Sequence, residues 1–177
     1  QHDHYVKQTY RNRCNIAGPE GVLSLSVPII RPDTPKCAMK DIRISDHGNW
    51  RHLHWNAIES AYNNTPFFEY YKDDLRPFYE NKYTFLADFN EELRCKICEL
   101  MDISPVVEHT ASYHTDFLPD EADYREVIHP KKDYTEVDKD FLPKPYYQVF
   151  ESRHGFLPNL SVIDLLFNMG PESVLVL

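Results

Sequence analysis

Glycine is scarce in this chain, five residues in 177, against 13 prolines. Turns are therefore set mainly by fixed φ, and the loops are expected to be ordered. Cysteine is limited to positions 14, 37, 95 and 98. Only small domains without an adequate core depend on a disulfide framework, so reduced thiols are expected at this length. No run approaches the roughly 18 apolar residues of a membrane span, and no signal peptide opens the chain. Positive charge is short: 19 Lys and Arg against 28 Asp and Glu give a net charge of −9. A generic nucleic-acid binder needs a basic stripe against the phosphates, so that class is set aside, while local basic patches stay open. G-x-G-x-x-G, the P-loop, the G-x-S-x-G elbow and H-E-x-x-H are also missing, which removes P-loop nucleotide hydrolysis and zincin chemistry. The expectation is a cytoplasmic protein with no cofactor.

The chain is long enough for one domain burying roughly 70% of the surface its unfolded form exposes. Residues 5 to 16 alternate as a strand would, with Val6, Gln8, Tyr10, Asn12, Cys14 and Ile16 on one face and Lys7, Thr9, Arg11 and Arg13 on the other. The turn at 17 to 21 leads into a second strand over 22 to 27, so a 5–28 hairpin with a loop longer than two residues is expected. Ile42-Arg43-Ile44 is a weaker strand candidate, and Val106 to Thr110 another. From Asn49, placed as an N-cap, the period is helical: Trp50, Leu53, Ala57, Ile58 and Ala61 predict a helix over 50–62. Thr65-Pro66 opens a second, aromatic helix reaching about residue 80. Phe85, Phe89, Leu93 and Ile97 give an amphipathic helix over 84–101. Residues 115 to 145 form a lid-like excursion in which Phe117, Leu118, Tyr124, Val127, Ile128, Tyr134, Phe141 and Leu142 are expected to bury surface. The last helix, 160–168, is apolar nearly all round, and Ser161 with Asp164 reads as a capping pair. The fold class is α/β mixed (α+β): a small, largely antiparallel sheet packed by about four helices. A doubly wound topology stays open.

Several groups could carry chemistry. On a strand, Lys7, Arg11 and Arg13 would form a row of cations along one edge of a small anionic ligand, or else a solvated basic face. His54 falls on the apolar face of the first helix and is either a packed core group or the best general-base candidate. Asp164, inside an apolar helix, either caps the helix start or faces a site with Asn159 and Asn168. Tyr146, Tyr147 and Gln148 could offer hydroxyl and amide groups to a sugar. Cys95 and Cys98 lie within a helix, away from its apolar row, without the second pair that zinc requires, so no metal is expected there. His109 and His114 are the candidates for any mixed site assembled in three dimensions.

Three blocks of sequence carry a family resemblance. The run Tyr147-Gln148-Val149-Phe150, then Gly155-Phe156-Leu157-Pro158-Asn159-Leu160-Ser161-Val162-Ile163-Asp164-Leu165-Leu166-Phe167-Asn168-Met169-Gly170-Pro171-Glu172, resembles the closing signature of the WbqC-like proteins. The opening Tyr5 to Ile16 with Leu25-Ser26-Val27-Pro28-Ile29 is similar to that family's opening segment, and Asn49-Trp50, Trp55, Tyr62 and Pro66-Phe67-Phe68 to its middle. The resemblance implies one domain over 1–177 that lacks the family's N-terminal strand, loop and helix, since Gln1 falls inside what resembles the second strand. It also adds Asn12, within Arg11-Asn12-Arg13, to the candidate ligand surface.

The role implied is in bacterial surface polysaccharide (O-antigen type) synthesis. Two functions follow. One is a transferase moving an acyl or aminoacyl group to an amino sugar: Lys7, Arg11 and Arg13 hold a phosphorylated or nucleotide-linked sugar or acyl donor, and His54 or Asp164 takes the proton. The other is a non-catalytic binding or accessory protein of the same pathway, with the 115–145 excursion as its partner surface.

Overall fold

Strand β1 (Arg13–Gly18) pairs antiparallel with β2 (Gly21–Ser26), in register from Arg13 opposite Ser26 to Gly18 opposite Gly21. That register leaves only Pro19 and Glu20 in the turn, so the hairpin closes on two residues and not on the longer loop expected. Pro19 brings the fixed φ a turn needs, and Gly21, at φ +108, adopts a conformation closed to residues with a Cβ. The structure, a computed structural model, describes residues 2–34, 36–113, 115–118, 121–132 and 142–177.

The first strand is shorter than its alternation predicts. Residues 7–12 are turns and bends, with Gln8 at φ +62. The cause is local: the buried Thr9 hydroxyl donates to the Val6 carbonyl (2.7 Å) and accepts from the Arg11 amide (3.4 Å). Such side-chain bonds offer the backbone an alternative to a ladder. Lys7, Arg11 and Arg13 therefore do not share a strand face. Residues 42–44 make only isolated bridges, Ile44 to Ile29 and Arg43 to Phe85, and 106–110 form no strand.

Helix α1 (Trp50–Tyr62) has the predicted bounds. Asn49 precedes it, but at φ +48 and without a side-chain cap bond. Leu53 is exposed, and Trp55 and Tyr62 take the buried face with Trp50, Ile58 and Ala61. The expected second helix is two: α2 (Phe68–Leu75) and α3 (Pro77–Glu80). Pro77 has no N–H to donate back, which breaks the run. Thr65 caps nothing; its hydroxyl donates to the Tyr62 carbonyl (2.7 Å). Helix α4 (Leu86–Leu100) matches its amphipathic period, and α5 (Glu151–His154) and α6 (Val162–Met169) complete the set among the described residues. Helix α6 ends on Gly170, where φ is +56 and an added Cβ would lie 2.5 Å from the Phe67 ring. The Phe67 amide donates to the Phe167 carbonyl (3.1 Å), so the C-terminus of α6 is pinned to the start of α2.

Two apolar clusters meet along α1. One joins Ile16 and Leu25 of the hairpin to Trp55, Ile58, Tyr62, Phe68, Ile163 and Phe167. The other joins Val27, Ile42 and Ile44 to Trp50, Phe78, Leu86 and Phe89. Tyr79 and Leu93 pack against both. The architecture is thus α+β, with a two-stranded antiparallel sheet held by helices. Around 115–145, Phe117, Leu118, Tyr124, Ile128 and Leu142 are exposed, not buried as expected; Tyr134 and Phe141 lie outside the described residues. No helix among the described residues is long and apolar enough to cross a membrane.

Candidate functional site

Asp164 is fully buried in α6, and no cation pairs with it among the described residues. Its neighbours Ile163, Leu166 and Phe167 turn into the core, which directs Asp164 and Asn168, one helical turn apart, toward the segment 146–149. The carboxylate accepts three bonds: from the Tyr62 hydroxyl (2.8 Å, Oδ1), the Tyr146 hydroxyl (2.7 Å, Oδ2) and Gln148 Nε2 (3.2 Å, Oδ2). Around it the accounting is close to complete. Gln148 also donates to the Leu157 carbonyl (2.9 Å) and accepts the Leu157 amide (2.8 Å). Asn168 donates to the Asp164 carbonyl (2.7 Å) and accepts the Val149 amide (3.1 Å), while Tyr62 accepts the buried Ala17 amide (3.1 Å).

The expected capping pair is therefore corrected. Ser161 is the N-cap, but the Asp164 amide bonds to its main-chain carbonyl, and the carboxylate points inward. Burial raises the Asp164 pKa, opposed by the bonds from Tyr146, Tyr62 and Gln148. Burial first, then the Asp164 charge, raise the pKa values of Tyr62 and Tyr146, so both phenols stay protonated and donate.

Tyr146 is the side chain that connects this core to the surface. It lines a cleft of about 570 Å³, together with Tyr10, Asn159, Lys132, Lys144 and a wall that includes Phe156, Leu160 and Leu165. Asn159, at φ +58, donates to the Tyr10 hydroxyl (3.0 Å) at its edge. The chain carries an excess of acids, yet among the described residues no Asp or Glu side chain lines this cleft; the charged side chains of the described lining are Lys132 and Lys144, with His129 beside them.

The other candidates lie elsewhere. Arg11 is drawn into an ion pair with Asp3, and it donates to the Arg125 carbonyl (3.3 Å) and approaches Glu126 (3.7 Å). Asn12 extends the hairpin by donating to the Val27 carbonyl (2.8 Å), and Arg13 Nε bonds Ser26 across the strands (3.0 Å). Lys7 is exposed and outside the cleft, and Tyr147 faces outward while Gln148 is buried. His54 packs edge-on against Trp50 (5.1 Å between ring centroids) and Tyr79 (6.4 Å), and burial lowers its pKa to about 4. It sits eight residues before Tyr62, about 12 Å along α1, too far to act with Asp164. His109 is exposed, 3.9 Å from Glu91; His114 lies outside the described residues, among which no cluster suited to a metal occurs. Tyr62, Tyr10, Lys132 and Lys144 were not singled out as site residues from sequence. Of these, Tyr10 and Tyr62 carried a signal there, as parts of the opening and middle motifs.

The WbqC-like protein family profile matches residues 1–128, which takes in the opening and middle motifs; the closing run lies beyond it. Uncharacterized protein Rv1507c of Mycobacterium tuberculosis is 26% identical over 189 aligned residues, covering 96% of this chain and 81% of its own length. No solved structure matches the chain.

Proposed function

The chain belongs to the WbqC-like protein family, and from that premise we propose that it binds an anionic, partly apolar donor of surface polysaccharide synthesis, a phosphorylated or nucleotide-linked sugar or acyl compound, in the cleft beside Tyr146. The observation that carries this reading is the lining. A cleft of about 570 Å³ is the size of a small-molecule site. Its apolar wall suits an acyl chain or a sugar's apolar face. Tyr10, Tyr146 and Asn159 offer hydroxyl and amide groups, and the two lysines offer charge to a phosphate in a protein that is otherwise acidic.

Binding without chemistry is the better supported role. The cation row, His54 and the Tyr147-Gln148 pair do not gather around this cleft. One observation favours a transferase as the second reading: the Tyr146 hydroxyl, at the cleft wall, donates to a buried carboxylate whose pKa is raised. An amine attacking the carbonyl of a bound acyl donor would form the C–N bond as its proton passes to the Tyr146 oxygen and the phenol proton to Asp164. The bond from the acyl carbon to the donor's phosphate then breaks, and the leaving phosphate takes a proton from Tyr146 as Asp164 returns its own to the phenol, Asp164 never touching the substrate itself.

Calorimetry with a uridine-diphosphate amino sugar, uridine monophosphate and the free amino sugar tests the binding role. The nucleotide sugar should bind, the free sugar should not, and Lys144→Gln should weaken binding about tenfold, or about 1.4 kcal/mol. Absence of any heat or thermal shift with anionic donors at millimolar concentration would remove the cleft from consideration.

A further inference from the structure

Helix α4 presents two thiols and one guanidinium on a face away from its core row. Arg94 Nη2 lies 3.3 Å from the Cys95 sulfur and Nη1 3.9 Å from the Cys98 sulfur, so a single fork of donors spans both. Nε and Nη2 of the same guanidinium hold Glu91 in two bonds, 3.0 and 2.6 Å. Cys95 is exposed and Cys98 partly so. We propose that Cys95 and Cys98 are a reactive dithiol, held by Arg94, that peroxides convert to a disulfide within the helix.

Three features support this. The Arg94 fork reaches both sulfurs and so holds the two side chains on one face of the helix. Residues i and i+3 of a helix have Cα atoms about 5 Å apart, inside the range a disulfide spans, and Cβ atoms about 5–6 Å apart, so closure needs that turn of α4 to tighten by about 1–2 Å. And the apolar residues Leu86, Phe89, Leu93 and Ile97 of α4 pack into the two core clusters without either sulfur, so oxidation leaves the core in place. The remaining cysteines are internal controls. Burial pushes the Cys14 thiol up to about 11, and Cys37 is partly buried with its sulfur toward the Ala38 carbonyl (3.7 Å).

The step balances without a cofactor. The Cys95 thiolate attacks one oxygen of hydrogen peroxide; the O–O bond breaks, and hydroxide leaves and is protonated to water, giving a sulfenic acid. The Cys98 thiolate then attacks that sulfur, the S–O bond breaks, and a second water forms. Two thiols lose two electrons and two protons, and the peroxide is reduced to two waters. Glu91 works against the first step, because its negative charge lies 3.9 Å from the Cys95 sulfur and occupies the same guanidinium.

The test is peroxide titration of the intact protein, followed by peptide mass mapping of all four cysteines. A Cys95–Cys98 linked peptide, about 2 Da lighter than the dithiol, should form roughly tenfold faster than Cys14 or Cys37 is modified, and dithiothreitol should reverse it. Arg94→Gln should slow its formation severalfold, Arg94→Lys should restore part of the rate, and Glu91→Gln should accelerate it. Equal reactivity of Cys95 and Cys37 in the parent protein, oxidation to sulfinic acid without a linked peptide, or an unchanged rate in a folded Arg94→Gln variant would each overturn the proposal.

Discussion

The Tyr62 hydroxyl and the Asp164 carboxylate, 102 residues apart in sequence, meet at 2.8 Å in the core. The bond joins α1 to α6, and because Tyr62 also accepts the Ala17 amide it joins both to β1. A buried carboxylate with no cation among the described residues is tolerable because α1 supplies one donor to it and the segment 146–149 two more.

Asp164→Ala should therefore destabilise the fold by about 3 kcal/mol or more, since it leaves Tyr62, Tyr146 and Gln148 donors unsatisfied. In a double-mutant cycle with Tyr62→Phe, denaturant unfolding should give a coupling above about 1 kcal/mol. Strictly additive losses would mean that the two groups do not act together.

His54 makes stability depend on pH. Its pKa is lowered from 6.5 to about 4, so between those values the unfolded chain binds the extra proton. Stability from this group is present above pH 6.5 and is lost as pH falls toward 4. Asp164, held above the usual carboxyl range, acts oppositely: its contribution is complete below its unfolded value and declines as pH rises through the folded one. Subtracting the stability profile of His54→Phe from that of the parent isolates the histidine. A difference curve that is flat from pH 4 to 6.5 would contradict the burial argument.

Arg11→Gln should cost about 1–3 kcal/mol by stranding Asp3 and releasing the Arg125 carbonyl. Affinity for simple phosphate should not change. The outcome that counts against this assignment is weaker phosphate binding at an unaltered denaturation midpoint, because the guanidinium would then be serving a ligand.

Leu166→Ala should cost about 2–5 kcal/mol, as its side chain is fully buried against the core. A loss below about 0.5 kcal/mol in urea unfolding would place α6 at the periphery.

What could be read in the sequence was what short-range periodicity controls. Helices α1 and α4 run three turns or more with one sustained apolar stripe, and their bounds emerged within a residue or two. Where one side chain competed with the backbone, the period misled: Thr9 turned an apparently alternating segment into turns, and Pro77 divided a run of aromatics. Asp164 was conspicuous as an acid in an apolar helix. Its partners were not, because Tyr62 and Tyr146 reach it from elements whose juxtaposition no local pattern encodes. The cleft is hidden for the same reason, since Tyr10, Lys132, Lys144 and Asn159 come from four separate stretches.

Helix α6 is fixed at both ends by features that tolerate no slippage. Asp164 must face its three donors, and Gly170 must lie where the Phe67 ring leaves no room for a Cβ. The two are six residues apart, about 9 Å along the axis, so the helix works as a gauge of set length. Insertion or deletion of a single residue between them would rotate the carboxylate by about 100° away from its donors or push a side chain into the ring. Variation in chain length near this end must then be taken up outside the gauge, in the largely exposed residues after 173, where an added or lost residue leaves the carboxylate, its donors and the ring contact where they are.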